Sequence, residues 1–262
     1  MPSLSLTKHH GLGNDFLVLL DLDDASPLDA GMARALCDRR RGVGADGVIR
    51  VVRDAVADVR MELRNADGSV AELSGNGLRC LGQAVVDAGV VGGPEVSVGT
   101  LAGVRRLVVT ATGPRTAWVS VEMGKAEIGP DQPQDFPDRK ARAVDMGNPH
   151  LVLVGPDPAS VDVGGLGPRI ESGFAEGVNV EFVMVGPEPD AITMRVWERG
   201  VGETQACGTG ACAAAAAAHA WGLVGERVVV HQVGGDAEVE LRPDGVVLSG
   251  PTERVARIEV EL

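Results

Sequence analysis

The sequence predicts a mixed α/β (α+β) fold of two pseudo-symmetric domains, each a mixed or antiparallel sheet wrapped around a central helix. Three observations carry this expectation. The first is a hidden duplication: Met61 falls on Met194, Asn65 on Glu198, Ser74 on Cys207, Gly75 on Gly208 and Gly77 on Gly210, at a constant offset of 133 residues. The registry runs without a gap to Gly89-Val90-Val91-Gly92, which falls on Gly222-Leu223-Val224-Gly225. A period this long implies two similar domains and not a solenoid. The second is composition: 36 glycines and 15 prolines among 262 residues call for many turns and short strands, while 44% hydrophobic residues are ample for a core. The third is that each half carries a Gly-x-Gly step leading into an apolar segment with helical character.

In chain order, Leu4 to Lys8 reads as a strand, Gly11 to Asp15 as a loop and Phe16 to Leu20 as a second strand. Asp29 to Arg39 has helical spacing, with Met32, Ala35 and Leu36 on one face. Gly42-Val43-Gly44-Ala45-Asp46-Gly47 satisfies G-x-G-x-x-G literally, yet it leads into a strand, Val48 to Val52, so the dinucleotide reading fails. Asp58 to Leu63 is a strand, and a helix is expected from about Leu78 to Ala88. The strands Val96–Val98 and Val229–His231 follow in register in the two halves. Gly13-Asn14 pairs with Gly147-Asn148, and Gly42-Val43 with Gly177-Val178. The turn Thr112 to Arg115 marks the boundary, giving domains of residues 1–113 with 254–262, and 114–253. The final strand, Arg254 to Leu262, has no counterpart at the end of the first half and is expected to return to the first sheet.

The chemistry concentrates where Ala191 to Trp197, an apolar run, leads through Glu198-Arg199-Gly200 to Cys207-Gly208-Thr209-Gly210 and the Ala-rich segment Ala211 to Ala220. Free N–H groups at a helix start attract anions, and the same field is expected to lower a nearby thiol's pKa. Locally this reads equally as a buried cysteine at a tight turn. The duplication adds an equivalent loop at Ser74. Two similar groups serving opposite faces of one carbon suit inversion of a stereocentre, and helix N-termini suit the carboxylate of a developing carbanion.

Several classes are disfavoured. With 24 basic and 37 acidic residues the formal charge is −13, which argues against nucleic acid as a partner. The one basic cluster, Arg39-Arg40-Arg41, reads as a solvated helix end. Met1 to Phe16 lacks a targeting pattern and no apolar run is long enough to span a bilayer, so a cytoplasmic protein without a membrane partner is expected. The four cysteines, Cys37, Cys80, Cys207 and Cys212, match no zinc spacing and no disulfide framework. Cys37, Cys80 and Cys212 read as packing residues. His9, His10, His219 and His231 read as structural or solvent-facing.

Gly11-Leu12-Gly13-Asn14-Asp15-Phe16, Asn65-Ala66-Asp67-Gly68, Gly75-Asn76-Gly77, Gly147-Asn148-Pro149-His150, Glu198-Arg199-Gly200 with Gly202-Glu203-Thr204, and Cys207-Gly208-Thr209-Gly210 together resemble the diaminopimelate epimerase family across essentially the whole chain. The resemblance implies that family's fold. It also implies an isomerase independent of pyridoxal phosphate and metal, interconverting LL- and meso-diaminopimelate in lysine and cell-wall precursor synthesis with one acid/base cysteine per domain. Only three lysines occur, Lys8, Lys125 and Lys140, none in a Schiff-base context. Carried over by position, Cys207 is one catalytic group and Ser74 occupies the position of the other. Gly75, Asn76, Gly208 and Thr209 would bind the reacting carboxylate, and Asn14 would lie near the reacting amino group. Asn65, Asn148, Asn179 and Arg199, with Glu198, would hold the distal end, and His150 and Glu198 would tune the catalytic groups. Read singly, Asn14 and Asn148 are also turn residues, His150 also suits a loop carbonyl, and Glu198-Arg199 also suits a surface pair.

Two departures stand out. The resemblance implies cysteine where Ser74 stands, and an alkyl hydroxyl is a far weaker acid than a thiol of pKa about 8.5. A natural variant using the hydroxyl or a water, an introduced Cys→Ser exchange, and a relative with altered or lost activity all fit. Gly47 stands where many relatives carry a substrate-touching glutamine. The competing functions are another amino-acid racemase of the same fold and a non-catalytic amino-acid-binding protein. The oligomeric state stays open, a homodimer included.

Overall fold

The computed structural model describes residues 3–132, 136 and 138–261; Leu262, placed in the final strand by its sequence, lies outside them, as do residues 1, 2, 133–135 and 137. The chain divides into two compact units, Met1–Val121 with Gly250–Leu262, and Glu122–Ser249. Both change-overs fall inside strands.

The first unit holds β1 (Ser3–Gly11), β2 (Asn14–Leu20), α1 (Ala30–Cys37), β3 (Gly47–Arg53), β4 (Val59–Asn65), β5 (Val70–Ala71), α2 (Gly75–Asp87), β6 (Glu95–Thr100), β7 (Gly103–Ala111) and most of β8 (Thr116–Gly124). β2 and β3 are parallel, β3 and β4 antiparallel, and β4 and β6 parallel again. The second unit repeats the plan. After β9 (Glu127–Asp131) come β10 (Lys140–Asp145), β11 (Pro149–Val154), α3 (Val163–Glu171), β12 (Asn179–Val185), β13 (Ala191–Glu198), β14 (Gly202–Thr204), α4 (Gly208–Ala220), β15 (Arg227–Gln232), β16 (Gly235–Arg242) and β17 (Gly245–Glu261). Here β11 and β12 are parallel, β12 and β13 antiparallel, and β13 and β15 parallel. The C-terminal part of β17 pairs antiparallel with β1, from Ser3 opposite Glu261 to His10 opposite Glu253. That pairing fills the sheet position for which the first half has no strand of its own.

Each unit is built on one buried helix. Both helices are 13 residues long and offset by 133 residues. α2 starts at Gly75 and not near Leu78, because Ser74 is the N-cap and draws both glycines into the first turn. From Gly75 to Val85 every residue of α2 is buried, and from Gly208 to Ala218 every residue of α4. A helix enclosed on all sides needs small residues where strands approach. α4 meets this with alanine. α2 meets it partly with Gly82, where a Cβ would stand 2.8 Å from Leu107 Cδ2 and 3.3 Å from Val109 Cγ2. The basic cluster does not end a helix: α1 stops at Cys37. Arg39 instead pairs with Asp15 and Asp46, each at 2.7 Å, while the backbone N–H groups of Arg40 and Arg41 donate to Asp38.

His9 shows how the first unit fixes α2 to its sheet. It is fully buried on β1, with Nδ1 3.3 Å from Gln83 Oε1 and Nε2 3.0 Å from Thr7 Oγ1. Gln83 Nε2 in turn donates to the Arg115 carbonyl at 2.7 Å. Burial pushes the His9 pKa from 6.5 down to about 4. A folded-state pKa below the unfolded one means that the unfolded chain binds more protons between those values, so stability falls on acidification. His9 is therefore expected to remove roughly 3 kcal/mol between pH 7 and pH 4. Urea unfolding across that range should show the loss in the parent chain and a correspondingly shallower pH dependence in His9→Gln.

Candidate active site

Each unit presents its candidate chemistry at the start of its own buried helix. Ser74 has extended backbone (φ −140°, ψ 118°), and its Oγ accepts the Gly77 N–H at 3.0 Å. Cys207 has nearly the same backbone (φ −123°, ψ 117°), and its Sγ accepts the Gly210 N–H at 3.4 Å. Each side chain thus caps the first turn of its own helix at the third residue. Glycine is required in that turn: a Cβ at Gly210 would stand 2.6 Å from Glu181 Oε1 and 3.3 Å from Cys207 Sγ.

In the second unit a polar chain surrounds Cys207. Its Sγ lies 3.5 Å from Thr209 Oγ1, Asn148 Nδ2 donates to that hydroxyl at 3.4 Å, and His150 Nε2 lies 3.0 Å from Asn148 Oδ1. His150 Nδ1 meets Glu181 Oε1 at 2.6 Å, with both side chains fully buried. Parallel pairing of β11 with β12 sets His150 opposite Asn179. Glu181, two residues on, then lies on the same sheet face as His150. Glu198, at the end of β13, accepts from Thr204 Oγ1 at 2.5 Å and reaches the Cys207 thiol. The Cys207 N–H donates to Gln232 Oε1 at 2.9 Å, tying the loop to β15. Asn179 braces the neighbouring turn: Nδ2 donates to the Pro149 carbonyl and Oδ1 accepts the Arg199 N–H, both at 2.9 Å. The Arg199 guanidinium reaches the Glu176 carbonyl at 3.3 Å.

In the first unit Asn76 Nδ2 donates to Asn14 Oδ1 at 3.2 Å, and Asn14 Nδ2 donates to Asp46 Oδ2 at 2.8 Å. Behind them the fully buried Arg79 donates to Asn76 Oδ1 at 2.5 Å. Asn65 closes its turn through Ser69 Oγ at 3.0 Å. A Cβ at Gly47 would stand 2.8 Å from the Arg64 carbonyl oxygen and 3.3 Å from the Phe16 ring. In this backbone that position takes no side chain.

One expectation is reversed. The helix start was expected to lower the Cys207 pKa, but burial, then the Glu198 and Glu181 carboxylates, push it well above its usual value, outweighing the bonds from Thr209 and Gly210. Glu198 is itself raised, chiefly by desolvation. Burial likewise pushes the Cys37 and Cys80 thiols up, to about 12. Glu181, Arg79 and Gln232 were missed in the sequence. For Glu181 the signal was a lone carboxylate inside the apolar run Val178 to Val185.

The profile of the diaminopimelate epimerase family matches residues 6–129 and 142–255. The chain belongs to the diaminopimelate epimerase family. It is 41% identical to the diaminopimelate epimerase of Desulfitobacterium hafniense, over 96% of each chain. It is 40% identical to that of Corynebacterium glutamicum over 99% of each. It is 42% identical to that of Mycolicibacterium smegmatis over 97% of this chain and 96% of the relative. Among solved structures, a Bacillus anthracis phenazine biosynthesis protein of the PhzF family superposes with a TM-score of 0.79 over 100% of both chains at 14% identity. A hydroxyproline epimerase from Agrobacterium vitis does so with 0.75 at 18% identity, covering 99% of this chain and 93% of that one. These two likenesses establish the fold. Among the described residues no helix is long and apolar enough to cross a membrane.

A thiol held protonated reacts slowly with electrophiles until the pH approaches its pKa. Alkylation of Cys207 by iodoacetamide, followed by peptide mass spectrometry, is therefore expected to be slow at pH 7 and to rise steadily toward alkaline pH. Glu198→Gln, which removes a raising charge, should accelerate it by about threefold or more.

Proposed function

We propose that this chain interconverts LL- and meso-diaminopimelate by moving the α-proton between two faces of the reacting carbon, without a cofactor. The observation that carries the reading is the matched pair of helix starts within a full-length family match: each has a capping side chain that can hold a proton. In this reading the N–H groups of Gly75, Asn76, Gly208 and Thr209 bind the reacting carboxylate, where negative charge grows as the α-proton leaves. Asn14 lies toward the reacting amino group. Asn65, Asn148, Asn179, Glu198 and Arg199 serve the distal end, with Asn179 acting by fixing the Arg199 turn.

Cys207 and Glu198 share the proton inventory on one side. With the thiol held protonated, Cys207 donates directly in one direction of reaction. In the other its proton first passes to the Glu198 carboxylate, and the resulting thiolate takes the α-proton. Serving the opposite face belongs to Ser74, whose hydroxyl, alone or through a bound water, returns or accepts the second proton. Ser74 also favours a second reading, in which the chain binds diaminopimelate but exchanges protons from the Cys207 side only. The reading places the enzyme in the cytoplasm, as a single chain or a homodimer, with no nucleic-acid partner.

The test uses the parent chain and Ser74→Cys, each incubated with LL- and meso-diaminopimelate in deuterated water while α-proton exchange and stereochemistry are followed. Both forms are expected to bind, and the variant to epimerise at least about a hundredfold faster, the smaller end of what a positioned acid/base contributes. Exchange without inversion in the parent chain would select the one-sided reading. Failure of both folded proteins to exchange or epimerise the substrate would overturn the proposal.

A further inference from the structure

We infer that Glu181 is a positioning residue of the Cys207 loop: it holds His150 as a charged imidazolium whose second N–H orients Asn148 and Thr209 against the thiol. The inference deepens the reading of Cys207 as a proton carrier and rests on it for its consequence in turnover. Nδ1 of His150 faces Glu181 Oε1 at 2.6 Å and Nε2 faces Asn148 Oδ1 at 3.0 Å. Asn148 turns its Nδ2 to Thr209 Oγ1 and its Oδ1 to the ring. Nε2 thus donates to an amide oxygen, and with Glu181 ionised Nδ1 donates to its carboxylate, so both nitrogens carry hydrogen.

The surroundings account for the charge. Glu181 and His150 have side chains with no exposure, so neither charge is tolerable alone, whereas opposed at this distance each compensates the other. The carboxylate also sits against the first turn of α4, 2.6 Å from the place where a Cβ on Gly210 would stand, within reach of the helix's positive end. Glu181 Oε2 has no hydrogen-bond partner among the described residues, so the His150 contact is the carboxylate's only one. The line from Glu181 through His150, Asn148 and Thr209 to Cys207 is thus a directed chain, each amide and hydroxyl having its orientation set by the member before it. Loss of the charge at its far end frees the imidazole to drop one hydrogen, and the amide of Asn148 loses its reason to point Nδ2 at Thr209.

The experiment compares the full chain with Glu181→Gln, Glu181→Asp and His150→Gln, the last identifying the His150 signals in ¹⁵N-histidine spectra at pH 7. In the parent chain both ring nitrogens of His150 are expected to report attached hydrogen. In Glu181→Gln one of them should lose it, and in Glu181→Asp both should keep it. In a Ser74→Cys background, Glu181→Gln is expected to lower kcat at least about tenfold with KM changed by less than about twofold, and Glu181→Asp to recover part of the loss. A neutral His150 ring in the parent chain would overturn the inference, as would a folded Glu181→Gln protein with unchanged spectrum and turnover. If the Ser74→Cys background itself fails to epimerise diaminopimelate, the functional reading falls, and the imidazole spectra alone decide the role of Glu181.

Discussion

The arrangement depends on one constraint: the residue that caps each central helix is also the one that the proposed function offers to the substrate. A capping side chain must leave helical backbone, point back along the axis and accept an N–H from the third residue of the helix. Those demands fix Ser74 Oγ and Cys207 Sγ within about a turn of the N–H groups that the proposed function assigns to a carboxylate. They also explain the glycines, since a side chain at Gly210 would collide with both the cap and Glu181. Because each helix is buried along nearly its whole length, the loop cannot slide without unpacking a core. Position therefore comes from the fold, and only reactivity is left to local residues.

Capping and acid/base chemistry pull the choice of residue in different directions. Serine is among the preferred N-caps, and loss of a good cap costs typically about 1 kcal/mol. The hydroxyl cap is short, 3.0 Å to Gly77 N, against 3.4 Å for the thiol to Gly210 N. A thiol, in exchange, lies far closer to neutral pH as an acid. Ser74 thus sits at the stable end of this trade and Cys207 at the reactive end, within one chain and on nearly the same backbone.

Much of the architecture was legible because backbone roles repeat. The registry from Met61 to Gly92 against the second half located α2 and α4 to within a few residues, and the Gly-x-Gly steps marked their starts. The start of α2 was placed late because glycine is a poor helix former by propensity, while a cap and an enclosing sheet override propensity here. The Arg39 cluster reads as a helix end because its partners, Asp15 on β2 and Asp46 just before β3, are brought to it only by the fold. The Cys207 pKa was misjudged for a similar reason. The helix field is local and readable, whereas burial and the approach of Glu198 and Glu181 depend on strand pairing. Glu181 itself is one residue in an apolar strand, and only the parallel register of β11 with β12 brings it to His150.

The duplicated loops share a backbone but not an electrostatic solution. At the positions equivalent by the offset, Thr209 answers to Asn76 and Glu198 to Asn65, and Asn148 answers to Asn14 one residue out of step. Each loop has a buried basic side chain behind its amide, yet these occupy unrelated positions: Arg79 on α2 donates to Asn76 Oδ1, while His150 Nε2 on β11 lies 3.0 Å from Asn148 Oδ1. An arginine is always charged and cannot exchange protons at neutral pH; a histidine backed by a carboxylate can hold a proton in place and still respond to its neighbours. Around Ser74 the first unit sets a buried arginine and two amides, with the Asp46 carboxylate behind Asn14. The second concentrates the titratable groups, Cys207, Glu198, His150 and Glu181. The symmetry of the fold thus does not extend to the ionisable groups around the two helix starts.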